Sequence, residues 1–207
     1  MTNPQLILAS GSPRRRELLK EAGYSFEVIV PRDDAECGMC SSDGPIELVS
    51  NLAFRKAADV RRQLTHRNKR SSAVIVAADT VAECNGQILG KPSNETHARQ
   101  MLELLSGRRH HVFTGVCVWA ETAFSKGDSR APLVRVAETV LQMDCLPKSA
   151  LSEYLETGLW EGKAGAFGYQ DRLGWVHIVA GSESNVVGLP LELLANMLHE
   201  VAYPRHS

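Results

Sequence analysis

The stretch LILASGSPRRRELL, residues 6–19, fixes how this chain must begin to fold, because an apolar run breaks into small residues and then straight into a helix start. Leu6 to Ala9 reads as a buried strand and Arg14 to Ala22 as a helix stopped by Gly23. Phe26 to Val30 then resumes with the β-branched content of a second strand. The opening is a β-α-β unit. Ser12 suits the cap of that helix and Pro13 its first turn, so the free amides and the positive dipole end face the same way as Arg14 and Arg15. Three arginines oppose the favourable sign of the dipole there, so they are either a solvated face or the counter-charge to a bound anion such as phosphate.

Downstream, apolar residues from Ile46 to Leu64 recur at helical spacing, after a polar, turn-rich segment from Pro31 to Pro45. Ala73 to Ala78 is a continuous apolar run suited to a strand buried on both faces. Asp79 follows it, which predicts a carboxylate at a carboxyl strand end, where open α/β sheets bind ligands. Such an acid holds a metal, takes a proton from water, or merely starts a loop. A hairpin turned by Asn85-Gly86 comes next, then a helix capped by Ser93 and ended by Gly107. Strands over 111–119 and 133–143, a helix over 148–156, a strand over 175–180 and a helix opened by Pro190 complete the pattern. No repeat or linker divides the 207 residues, and the 43% hydrophobic content is enough for a sizeable core.

A formal net charge of −1 gives no global attraction to nucleic acid or an anionic membrane, so any anion site arises from local clustering. The basic set Arg61, Arg62, Arg67, Lys69 and Arg70 lacks interleaved aromatics and argues against nucleic-acid binding. No apolar stretch is long enough to span a bilayer and the polar start Met1-Thr2-Asn3-Pro4 lacks the build of a signal peptide, so a cytoplasmic protein is expected. Five scattered cysteines do not form a disulfide framework, and Cys37-Gly38-Met39-Cys40 has no partner motif for zinc. Gly86 to Lys91 is one residue short of a P-loop, with Pro92 where a Ser or Thr would reach magnesium. His110 and His111 read as the start of a strand with side chains facing opposite ways.

LASGSPRRRELL (8–19), VAADTVAECNGQILGKP (76–92), KAGAFGYQ (163–170) and NVVGLP (185–190) together resemble the signatures of the Maf family of nucleotide pyrophosphatases. The resemblance implies an α/β fold of Maf/ITPase-like type, an elongated mixed β-sheet with flanking helices and a deep central cleft. It implies a single domain over residues 1–207, two lobes about that cleft, commonly as a homodimer. The implied reaction cuts a nucleoside triphosphate between the α- and β-phosphates. By the same resemblance Asp79 is the catalytic carboxylate, Ser12, Arg14, Arg15, Lys56 and Lys91 bind phosphates, and Arg14, Thr80 and Gln170 face the base. A divalent cation (Mg2+, Mn2+ or Co2+) is held by Asp79 with an acid from the loop after the second strand, where Glu36 is preferred over Asp34.

The glutamine amide at Gln170 offers both a donor and an acceptor to uracil or thymine. KAGAFGYQ therefore points to the dTTP/UTP branch rather than the 7-methyl-GTP branch, although Gly158-Leu159-Trp160 departs from the family's usual G-E-P. The alternative from another class is a nucleotide-binding regulator of cell division without turnover. Against it, a pure binder gains nothing from a carboxylate repelling the phosphates unless a metal intervenes.

Overall fold

A computed structural model describes residues 4–32, 44–66, 72–121, 131–171 and 173–203, with Gln170 described by its backbone alone. The elements run β1 (Gln5–Leu8), α1 (Pro13–Glu21), β2 (Glu27–Val28), α2 (Gly44–His66), β3 (Ala73–Cys84), β4 (Gln87–Leu89), α3 (Glu95–Leu105), β5 (Arg109–Glu121), β6 (Leu133–Met143), α4 (Lys148–Glu156), β7 (Val176–Ala180), α5 (Glu183–Val187) and α6 (Leu191–Glu200). Seven strands form one mixed sheet in the order β2-β1-β3-β5-β6-β7, with β4 attached to β3. β1 runs parallel to β2 and β3, whereas β4 to β7 are joined by antiparallel pairings.

Alternation along the long strands sorts the core into two layers. Ile75, Ala77, Cys117 and Trp119 face α2, whose Ala53, Ala57 and Val60 recur at helical spacing and pack against them. On the opposite face, Leu6, Leu8, Val74, Val76, Val116 and Val118 meet Leu19 of α1 and Leu194, Met197 and Leu198 of α6. Farther along that same face, Ala82, Val112 and Leu141 meet Leu102 and Leu105 of α3 and Leu151 and Leu155 of α4.

Three local expectations are corrected. β3 does not end at Ala78 but runs on through Asp79 and Thr80 to Cys84, because β5 pairs with it from Ala73 to Glu83 and satisfies the backbone of the polar residues. The cap of α3 is Asn94, whose side chain accepts the His97 N–H at 2.8 Å, rather than Ser93. Ser12 occupies the cap position of α1 with extended backbone, yet its side chain makes no capping bond. The chain between Gly162 and Gly174 contains single 3₁₀ turns at 164–166 and 169–171. Among the described residues no helix is long and apolar enough to cross a membrane. Cys84, Cys117 and Cys145 are free thiols, and burial pushes that of Cys117 up to about 12. Cys37 and Cys40 lie outside the described residues.

Candidate functional site

One edge of β3 is occupied by β5 along nearly its whole length, while β1 covers the other edge only over 73–76 and β4 only over 82–84. Between them, residues 77–81 have no strand neighbour on that side among the described residues. A cavity of about 490 Å³ opens at this notch. It draws on both faces of the sheet, since Asp79 belongs to the α2 side and Thr80, by alternation, to the other.

On the α2 side, Lys56 Nζ lies 2.5 Å from Asp79 Oδ1, with both side chains largely buried, at 9% and 15% exposure. The reach is possible because Asp79 pairs with Gly115 of β5: a Cβ there would fall 2.3 Å from the Val49 carbonyl oxygen, so only glycine lets α2 lie this close. Arg32 lines the same region and its backbone N–H donates to Asp59 Oδ2 at 3.0 Å. Burial works to raise the Asp59 carboxyl, but hydrogen bonds from Arg32, Gln63 and Arg62 and the Arg62 charge outweigh it and hold the group below its ordinary value.

On the other side, Arg15 Nε donates to the Gly188 carbonyl at 2.7 Å, Nη2 to Thr80 Oγ1 at 3.0 Å and Nη1 to Ser10 Oγ at 3.4 Å. Thr80 Oγ1 is in turn 2.9 Å from Thr114 Oγ1, which donates to the Asn185 carbonyl. The short helix α5, too brief for its periodicity to show in the sequence, thereby braces Arg15 from below. Arg14 Nη2 donates to the Gly162 carbonyl at 3.2 Å, and Gly165 N–H to Gly90 at 3.0 Å, so the glycine-rich segment bridges α1 and the residue before Lys91. Lys163 Nζ closes that segment on itself by binding both oxygens of Asp171, at 2.6 and 2.5 Å, and Tyr154 Oη donates to the same carboxylate at 3.1 Å. Burial, with the Asp171 charge and hydrogen bond, pushes the Tyr154 hydroxyl upward.

Seven residues singled out in the sequence, Ser12, Arg14, Arg15, Lys56, Asp79, Thr80 and Lys91, all line this cavity. Asp34 and Glu36 lie outside the described residues, as does the side chain of Gln170, although its neighbours Gly168 and Tyr169 line the wall. Arg32 and Ser10 join the lining without a signal of their own in the sequence, and so does His110, which the sequence marked only as the start of a strand. Among the described residues the lining carries five cationic side chains, Arg14, Arg15, Arg32, Lys56 and Lys91, against one carboxylate, Asp79. Its far end is apolar, built from Ala82, Leu105, Val112, Leu141, Phe167 and Val176. Among the described residues, no group of three or more His, Cys, Asp or Glu side chains forms a metal cage. Asp79, the one carboxylate of the lining among the described residues, is a hard oxygen donor of the kind that suits a divalent ion completed by water and phosphate oxygens.

A mixed sheet interrupted at one inner edge by a cation-lined cleft makes the chain an α/β protein with a site suited to an anionic ligand. The structure of a HAM1 protein from Coxiella burnetii matches it with a TM-score of 0.50 at 15% identity, covering 95% of this chain and 99% of that one, a likeness of fold. The chain belongs to the Maf family: residues 5–201 match the model described as Maf-like protein. It is 52% identical over 198 residues to a dTTP/UTP pyrophosphatase of Rhodopirellula baltica, covering 95% of this chain and 82% of the relative. It is also 41% identical over 201 residues to a dTTP/UTP pyrophosphatase of Symbiobacterium thermophilum, covering 97% and 95%.

Proposed function

We propose that the protein hydrolyses dTTP and UTP to the nucleoside monophosphate and pyrophosphate. The observation that carries this reading is the Lys56–Asp79 pair set at the open edge of β3 inside a cleft with five cationic side chains. A triphosphate needs that much positive charge in a partly dehydrated site, and the relatives at 52% and 41% identity carry the same activity in their names.

In this reading Arg14, Arg15 and Lys91, with Ser12 and the amide end of α1, hold the phosphate chain. Asp79, oriented by the Lys56 ammonium, accepts a proton from the water that attacks the α-phosphorus. The oxygen–phosphorus bond to that water forms, the bond to the bridging αβ oxygen breaks, and the electron pair leaves on pyrophosphate, whose charge the cations stabilise. A divalent cation held by Asp79 with Glu36 would neutralise phosphate charge and polarise the phosphoryl group. Thr80, Gln170 and Arg14 are the residues assigned to the base, with Thr80 fixed by its bonds to Arg15 and Thr114. Residues 1–207 act as one domain, and the functional unit is a homodimer in the cytoplasm.

The test is product chromatography after incubation with magnesium or manganese and a panel of triphosphates. Monophosphate and pyrophosphate from dTTP and UTP is the expected result. Diphosphate with orthophosphate, a preference for 7-methyl-GTP, or binding without any product would overturn it.

A further inference from the structure

We propose that His110 reads the base: its neutral imidazole accepts the N3–H of uracil or thymine at the apolar end of the cavity and so favours these bases over cytosine. The inference rests on the pyrimidine triphosphate reading and adds a selectivity to it. His110 opens β5 beside Val112, pairs across from Leu141 of β6, and shares its face with Ala82 and Thr80 of β3. Those neighbours line the same cavity, and among the described residues His110 is the one imidazole in its lining. It is 4% exposed, so it has been withdrawn from bulk water and placed where a flat, apolar ligand body would lie.

Among the described residues, the ring's one hydrogen-bond contact favours one tautomer. Nδ1 sits 3.5 Å from the Arg108 carbonyl, a long contact that only a protonated nitrogen can make favourable, because the carbonyl can only accept. With Nδ1 carrying the proton, Nε2 is left as an acceptor, and it has no hydrogen-bond partner among the described residues. Burial pushes the imidazole below the ordinary histidine range and the His111 ring works the same way, against the Arg108 carbonyl and the Glu83 charge, which favour protonation. The neutral, accepting ring is therefore the form present near neutral pH. Uracil and thymine present N–H at position 3 and match that acceptor, whereas cytosine presents a lone pair there and opposes it. Among the described residues α2 contributes only Lys56 to the lining, so this acceptor does not come from that face; with N3–H taken by His110, the role left to the Gln170 amide is donation to O4.

The test compares kcat/KM for UTP and CTP in the wild type and in His110→Phe, with thermal unfolding to establish that the variant is folded. The UTP to CTP ratio should fall on the order of tenfold, the loss of one buried hydrogen bond, and the fall should come from UTP. An unchanged ratio in a folded variant overturns this inference alone, and a wild type that releases no pyrophosphate from UTP or dTTP overturns it together with the pyrimidine reading. A measurement that needs no variant covers the case in which His110→Phe does not fold. In nitrogen-15 spectra of the wild-type protein, UMP should shift His110 Nε2 in the direction of an acceptor gaining a hydrogen bond, and CMP should not. An Nε2 signal that both monophosphates leave in place, or move alike, overturns the assignment.

Discussion

Gly115→Ala is the substitution that most directly tests how this sheet builds its site. The added methyl carbon would stand 2.3 Å from the Val49 carbonyl oxygen, 2.5 Å from its carbon and 2.9 Å from the Ser50 nitrogen, all backbone atoms of α2. No side chain can swing away to relieve the clash. Restoring ordinary contact requires α2 to move off the sheet by about 1 Å, which loosens Ala53, Ala57 and Val60 against Ile75 and Cys117. Overpacking of this kind costs roughly 1–3 kcal/mol, and with rigid backbone as the obstacle the cost belongs at about 2–3. For a chain of this size that is a fall in Tm of about 4–12 °C.

Lys56 sits two helical turns beyond Val49 on the same helix, so the displacement also withdraws its ammonium from Asp79. A shift of about 1 Å at a reacting group lowers turnover by up to about a hundredfold. Differential scanning calorimetry and steady-state kcat with dTTP measure the two effects. Gly90→Ala, where an added methyl meets nothing within 4 Å, is the control for stability and should move Tm by no more than about 2 °C. If Gly115→Ala leaves Tm within about 2 °C and turnover within about twofold, close approach of α2 is not what sets the Lys56–Asp79 geometry.

Asp79→Asn should lower kcat by more than about tenfold while equilibrium nucleotide affinity stays within about tenfold, because losing the carboxylate removes help to the transition state more than to the bound substrate. Turnover above about a tenth of wild type would pass the role to Glu36 or Asp34. Lys163→Met strands the Asp171 carboxylate in a pocket where both partners are about 10% exposed, and should cost about 3–5 kcal/mol in urea unfolding. The double variant Lys163→Met, Asp171→Leu should recover most of that loss, since no buried charge is then left alone. A single variant that costs under about 1 kcal/mol would show that the pair does not brace the cavity wall.

Much of the scaffold was legible in order along the chain. The α4 and β6 boundaries, the Asn85-Gly86 hairpin and the buried stripe Ala98, Met101, Leu102 and Leu105 of α3 follow from periodicity and turn chemistry, which are local properties that each segment carries with it. Clustered cations and the acid after Ala78 were likewise visible, and the family signatures joined them into one site. What the sequence could not place was the edge of β3. An Asp-Thr pair after an apolar run ends a strand by propensity, yet β5 carries the strand six residues past Ala78 by pairing with it.

Only the register between β3 and β5 sets Asp79 opposite Gly115, puts Lys56 beside it, and turns His110 toward the apolar end of the cleft. Only the early ending of β1 and the late start of β4 leave the notch through which both faces of the sheet reach one cavity. Neighbours far apart in sequence decide these features, because a strand's side chains alternate by a local rule while its partners, and the places where it has none, are fixed by packing across the whole fold.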